Sequence, residues 1–311
     1  MPGRPNRTNR TPNERRFAYN GALVKPLVQR VAAMPVLMPE PQNTLLGKDT
    51  VYADQLDVKL VQPISRSLGR DAIGAHDFRG TDIWRLYELS WLDRQGLPKT
   101  AVAELLVPAT THSIVESKSL KLFAGSFAMT QFDSAQAVQA ALAETLSNAL
   151  GGEVAVRLAP LSRANHALEE MPGLSLDGLT LPEGDVVVDY EVNPEHLKTL
   201  EGPVQEETLS TTLFRSLCPV TGQPDMAAVS VAYRGRPIDR IGLLKYLVSY
   251  RRHKGFHEQC VEQIFHDIQT RAKPEMLEVY ACFTRRGGID INPFRSTERD
   301  LPPHIVREVR Q

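Results

Sequence analysis

The chain has 311 residues, 42% of them hydrophobic, enough for a sizeable core and more than one small domain needs. Its 36 basic and 37 acidic residues leave a formal net charge of -1, so no overall field draws it to nucleic acid or to an anionic membrane. Three scattered cysteines cannot build a disulfide framework, and no apolar run reaches the roughly 18 to 20 residues of a membrane helix. A small-molecule partner in a reducing cytoplasm is the expectation.

Residues 1–42 stand apart, because basic residues from Arg4 to Arg30 face only Glu14 and Glu40 among Pro, Asn and Thr. That composition reads as a disordered N-terminal extension, and Pro26, Pro35, Pro39 and Pro41 break any long amphipathic targeting helix. From there the order of elements repeats at an offset of about 124 residues, which divides the chain into units at 43–200 and 201–311. Strands are expected at 82–92 and 100–108, and again at 207–217 and 227–233, where Val229, Val231 and Tyr233 alternate with smaller residues. Each unit then has two helical patterns. The second of these, 135–150 and 257–272, carry the apolar stripes Val138, Ala141, Leu142, Leu146 and Cys260, Val261, Ile264, Phe265, Ile268. Gly151-Gly152 and Pro274 end them. Strands follow at 153–158 and 277–283, residues 160–184 read as a long loop, and a closing strand at 185–190 corresponds to one at 304–309. Strand-strand-helix-helix-strand-strand, repeated, implies an α+β duplication of two antiparallel sheets with helices on one face. Open sheet edges make closure into a barrel across subunits physically reasonable.

Four segments carry the chemistry. In Leu217-Cys218-Pro219-Val220-Thr221-Gly222-Gln223-Pro224-Asp225, the prolines and glycine force a turn that lets a thiol and a carboxylate converge. They would serve as nucleophile and proton donor, although most free cysteines are merely buried and an Asp after Pro often caps an element. Cys260 and Cys282, on an apolar stripe and a strand, read as core. In Phe256-His257-Glu258-Gln259-Cys260, Glu258 opens a helix, where it either caps or offers two acceptor oxygens to a planar ligand. The equivalent first-half residues are Asp133-Ser134, so one pocket per chain is expected. The segment Glu116-Ser117-Lys118-Ser119-Leu120-Lys121-Leu122-Phe123 reads as a charged turn opening a short helix, or as an anion site. Arg285-Arg286-Gly287-Gly288, within Thr284-Arg285-Arg286-Gly287-Gly288-Ile289-Asp290-Ile291-Asn292-Pro293, suits either a basic hairpin turn or a phosphate that the backbone must approach closely. No G-x-G-x-x-G run exists, which argues against a Rossmann dinucleotide domain.

Taken together, these segments resemble the NADPH-dependent 7-cyano-7-deazaguanine reductase family, the nitrile reductases of queuosine biosynthesis, in its long form. The resemblance starts near Leu45-Leu46-Gly47-Lys48 and runs to the C-terminus. It implies tandem tunnelling-fold units, a homodimer, and two NADPH consumed as hydride donors per nitrile reduced to an aminomethyl group. By the same resemblance Cys218 forms a covalent thioimide and Asp225 is the acid. Val115, Glu116, Ser117, His257 and Glu258 bind the deazapurine, and Ser117, Lys118, Arg286 and Gly287 bind NADPH, with no metal. Two other readings compete. A zinc hydrolase of the same architecture, like the GTP cyclohydrolases, would need ligands of which only His257, Cys260 and His266 cluster. A non-catalytic purine-binding protein would need Glu258 but not Cys218.

Overall fold

The computed structural model describes residues 52–164, 167–185, 187 and 190–311. The 1–42 extension lies outside the described residues, as do Val186, Val188 and Asp189 of the strand expected at 185–190. In chain order the first repeat forms β1 (Pro63–Ser65), α1 (Ser67–Ile73), β2 (Gly80–Leu92), β3 (Pro98–Pro108), β4 (Ser113–Val115), α2 (Ser117–Gly125), α3 (Ala135–Leu150) and β5 (Ala155–Pro160). The two-residue β6 (Leu174–Ser175) lies in the long loop. The second repeat adds β7 (Gln205–Leu217), β8 (Pro224–Gly235), α4 (Arg240–Ser249), α5 (His257–Arg271), β9 (Met276–Phe283) and β10 (Ile289–Ser296).

Helix ends follow local chemistry. The Ser134 hydroxyl accepts from the Ala137 amide at 3.2 Å to open α3, and Gly151 closes it in the left-handed conformation at φ 69°. At α5 the Gln259 side chain reaches back to accept from the Phe256 amide at 3.1 Å. Val138, Leu142, Leu146 and Leu150 of α3 are buried, as are Cys260, Val261, Ile264, Phe265 and Ile268 of α5. These stripes pack on one face of the sheet.

The class is α+β, but the two expected sheets are one. Eight strands lie in the order β5-β3-β2-β10-β9-β8-β7-β6, antiparallel except for β6 against β7, while β1 and β4 pair separately. The join between the repeats is β2 with β10, from Ile289↔Leu86 to Arg295↔Gly80. Gly80 has φ 138°, and a Cβ there would fall 2.1 Å from the Phe294 carbonyl oxygen, so the junction needs glycine. The duplication persists in fine detail. A register shift between Leu86 and Leu89 recurs between Thr211 and Phe214, and the bridge Leu92↔Gln131 before α3 recurs as Leu217↔Lys254 before α5.

The closing strands expected at 185–190 and 304–309 are not strands at any described position. β10 closes the second repeat instead, and residues 301–311 cross the outer face of the sheet, where Val306 packs with Ile83, Tyr280 and Phe294. β10 escapes a reading by alternation because Asp290, Asn292 and Arg295 are polar yet buried.

A buried ionic network fastens the join. Asp82 of β2 accepts from Arg66 at 2.6 Å and from Arg295 of β10 at 2.7 Å, and Glu262 of α5 accepts from Arg295 and Arg70 at 2.8 Å each. Burial alone would raise the Asp82 and Glu262 carboxyls, but the guanidiniums outweigh it and hold both below the usual carboxylate range. Arg295→Met fills similar space and strands two buried carboxylates, which is expected to cost about 3–5 kcal/mol in urea unfolding. A loss below about 1 kcal/mol would mean that Arg66 and Arg70 suffice without it.

Candidate active site

The hairpin from β7 to β8 brings Cys218 and Asp225 together. Leu217↔Pro224 closes its ladder, the Cys218 amide donates to the Gln223 carbonyl at 2.8 Å, and the Gly222 amide donates to the Cys218 carbonyl at 2.9 Å. Gly222 turns the chain at φ 68°. Cys218 therefore sits just past one strand end and Asp225 just inside the next. The Leu217 amide donates to the His253 carbonyl at 2.8 Å and its carbonyl accepts from the Gly255 amide at 3.2 Å, which docks the start of α5 beside them.

One narrow cleft is lined by Trp84, Val115, Glu116, Ser117, Cys218, Pro219, Val220, Asp225, Gly255, Phe256, His257, Glu258, Arg286 and Ile291. Every residue expected at catalysis and substrate lies on it. Trp84 and Ile291 are cross-strand partners on β2 and β10, so together they offer an apolar surface to a planar ring. A wider groove of about 360 Å³ shares Glu116, Ser117, Cys218, His257 and Arg286 with the cleft. It adds Lys118, Lys121 and Gly287, so all four residues expected at the cofactor line it. The cleft and the groove meet at Cys218.

Burial opposes ionisation of Cys218, yet contacts from the Thr221 hydroxyl and the Thr221 and Val220 amides, with the Arg286 charge, hold the thiol below its ordinary value. Cys260 and Cys282 are the reverse, each pushed up to about 12 chiefly by burial. Asp225 accepts from Arg286 Nη1 at 2.6 Å on one oxygen, and His257 Nε2 stands 3.3 Å from the other. The His257 ring stacks on Phe283 at 3.8 Å and 14°, and burial lowers its pKa against the pull of Asp225, which favours the neutral imidazole.

Glu258 is 3% exposed, its Oε1 has no hydrogen-bond partner, and burial with the charge of Asp82 behind it pushes its carboxyl up to about 8. A buried acceptor without a donor is costly, and N–H groups brought by a ligand would satisfy it. The first-half counterpart is spent differently. Asp133 pairs with Arg94 at the surface at 2.8 Å and Ser134 caps α3.

Glu116 is the N-cap of α2, its oxygens accepting from the Lys118 amide at 2.9 Å and the Ser119 amide at 2.6 Å. Its capping role and its place on the cleft coexist. Arg286-Gly287-Gly288-Ile289 is the hairpin turn between β9 and β10, with φ 59° and 78° at the glycines. A side chain on Gly287 would press on Lys121 at 3.2 Å. The phosphate-type reading of this turn is thus joined by a structural one, and Arg286 is shared between groove and Asp225. Trp84, Phe256 and Ile291 were not assigned from the sequence, since an apolar residue in a strand or at a helix cap carries no mark that separates pocket wall from core.

Among the described residues no group of three or more His, Cys, Asp or Glu side chains could hold a metal ion, and Cys260 of the candidate zinc set is fully buried in the core. No described helix is long and apolar enough to cross a membrane.

The family model for the N-terminal part of the nitrile reductase 7-cyano-7-deazaguanine reductase matches residues 52–158, and that for QueF-like proteins matches 224–301. The NADPH-dependent 7-cyano-7-deazaguanine reductases of Burkholderia thailandensis and Burkholderia pseudomallei are each 51% identical over 277 residues, spanning 87% of this chain and 99% of each relative. The apo structure of the archaeosine synthase QueF-Like aligns at 19% identity over 31% of this chain and 95% of that one, with a TM-score of 0.27, too slight to carry an argument. With half the residues identical across nearly the whole of those relatives, the chain belongs to the NADPH-dependent 7-cyano-7-deazaguanine reductase family.

Proposed function

We propose that the chain reduces the nitrile of 7-cyano-7-deazaguanine to an aminomethyl group at the expense of two NADPH, in queuosine biosynthesis. The observation that carries this reading is one cleft lined together by the Cys218 thiol, the Asp225 carboxylate with His257 3.3 Å from it, and the buried Glu258, whose Oε1 has no partner. Glu258 accepts the ring N–H and exocyclic amine of the base at the closed end, against the Trp84 and Ile291 wall. That places the cyano group toward Cys218. The Cys218 sulfur adds to the nitrile carbon, forming the S–C bond, while Asp225 takes the thiol proton and delivers it to the nitrogen, to which one C–N π pair has moved. The resulting thioimide is a better hydride acceptor than the nitrile; after one hydride reaches its carbon and a proton its nitrogen, the S–C bond breaks to return the Cys218 thiol and leave an imine, which takes the second hydride and proton. NADPH, when bound in the groove beside Ser117, Lys118, Arg286 and Gly287, supplies hydride. Lys118, Lys121 and Arg286 supply charge for its phosphates.

The same proposal includes a cytoplasmic homodimer, in which a second copy pairs the open sheet edge at β5. Nucleic acid and membrane are not partners in this reading.

Protein mixed with the cyano-deazaguanine and no NADPH should gain one substrate mass on the peptide containing Cys218, and Cys218→Ala should abolish both adduct and turnover. An adduct on Cys260 or Cys282, or turnover by the alanine variant, sinks this assignment.

Base binding should be coupled to proton release. With Glu258 at about 8 in the empty pocket, the carboxyl is protonated at pH 7 and must ionise to accept two N–H bonds. Affinity should therefore rise toward pH 8, by up to about tenfold per pH unit, and level off above it. Calorimetry in buffers of different ionisation enthalpy counts the proton. Glu258→Gln should lower affinity by about tenfold to a hundredfold and remove the slope. Binding without proton release would take Glu258 out of the base site.

Lys118 and Arg286 are expected to separate. Lys118→Ala should raise the KM for NADPH and spare the NADPH-free adduct. Arg286→Ala should slow adduct formation as well, because Asp225 loses its 2.6 Å partner. Identical behaviour of the two variants would contradict the dual role of Arg286.

A further inference from the structure

The sheet forks beside the active site. β9 and β10 pair only at Phe294↔Tyr280, Arg295↔Val279 and Ser296↔Glu278. Beyond that, β10 stays with β2 through Asn292↔Ile83 up to Ile289↔Leu86, and β9 stays with β8 through Cys282↔Ala228 and Phe283↔Ala227. Pro293, which has no N–H to give a ladder, stands where the pairing stops.

On the outer face the fork is bridged by Gln311. Its side chain is buried at 5% exposure, its Nε2 donates to the Phe283 carbonyl at 3.0 Å on β9 and to Asn292 Oδ1 on β10, and its Oε1 accepts from the Glu308 amide at 3.0 Å. The Arg310 carbonyl next to it accepts from the Arg285 amide at 3.1 Å. The bridge thus grips the chain at Phe283 and Arg285. Phe283 is the ring on which His257 stacks, and Arg285 precedes the Arg286 that holds Asp225.

We propose that Gln311 is a positioning residue, whose carboxamide fixes the width of the fork and so the placement of His257 and Arg286 around Asp225. The link is short: at the β9 end it satisfies the Phe283 carbonyl and the Arg285 amide, which no longer have β10 beside them, and on β10 it holds the Asn292 side chain. A shift of the β9 end by a fraction of an ångström would move the stacked imidazole and the guanidinium together. This rests on the reading of His257, Asp225 and Arg286 as active groups.

The test compares Gln311→Ala with Val306→Ala, which thins the same outer-face cluster but leaves the bridge intact. Both should lower Tm. Only Gln311→Ala should lower kcat/KM for NADPH, by about tenfold, as misplaced active groups do. It should also speed amide hydrogen exchange across 283–288, a readout that needs no turnover. Wild-type kinetics and exchange in Gln311→Ala would overturn the proposal, as would an equal kinetic loss in Val306→Ala at matched Tm. If wild-type protein forms no adduct and reduces no nitrile, the functional reading falls, while the exchange difference still reports on the bridge.

Discussion

Everything in the site depends on the antiparallel pairing of β2 with β10. Through it two repeats that could have closed separate sheets share one, and Val115 to Lys121 of the first meet Cys218, Asp225, Glu258 and Arg286 of the second. The Trp84 and Ile291 wall is itself one rung of that pairing. Hydrogen bonds of a ladder are individually modest, so the join also carries Arg66, Asp82, Glu262 and Arg295 as a buried network spanning both repeats. Such a network specifies a register better than it stabilises a fold.

The same network shapes the chemistry. Asp82 lies behind Glu258, and its charge adds to the burial that holds the Glu258 carboxyl near 8, while Arg66 and Arg295 pull the other way. A carboxyl raised to about 8 is mostly neutral at pH 7, which spares the buried pocket an uncompensated charge. Cys218 is tuned by different means, through hydrogen-bonding contacts at a turn rather than a buried ion network.

Much of this was legible in the chain. The ends of α3 and α5 follow from Gly151-Gly152, Pro274 and their apolar stripes, and β8 from the alternation of Val229, Val231 and Tyr233, because each of these elements has an apolar face toward a core. The site segments stood out for turn chemistry and for charges that a core does not need. β10 did not, since Asp290, Asn292 and Arg295 are paid for by partners distant in sequence, among them Tyr87, Gln311 and Glu262. Long-range polar pairing leaves no periodic trace. For the same reason the single sheet was hidden, as was the attachment of Arg286 to Asp225.

The two repeats use equivalent helix starts differently, although a pocket lined by Trp91, Lys99, Phe132, Asp133 and Ser134 lies at the first one too. At the start of α3, Asp133 and Ser134 spend their oxygens on Arg94 and on the helix amides, a solution that needs no help from elsewhere. At the start of α5, Glu258 leaves an oxygen without a donor in a buried place, where the charges of Arg66 and Arg295 offset part of the cost. Arg66, one of those guanidiniums, comes from the first repeat. That repeat supplies the second with electrostatic support, one wall of the cleft through Trp84, and the cations of the adjoining groove through Lys118 and Lys121.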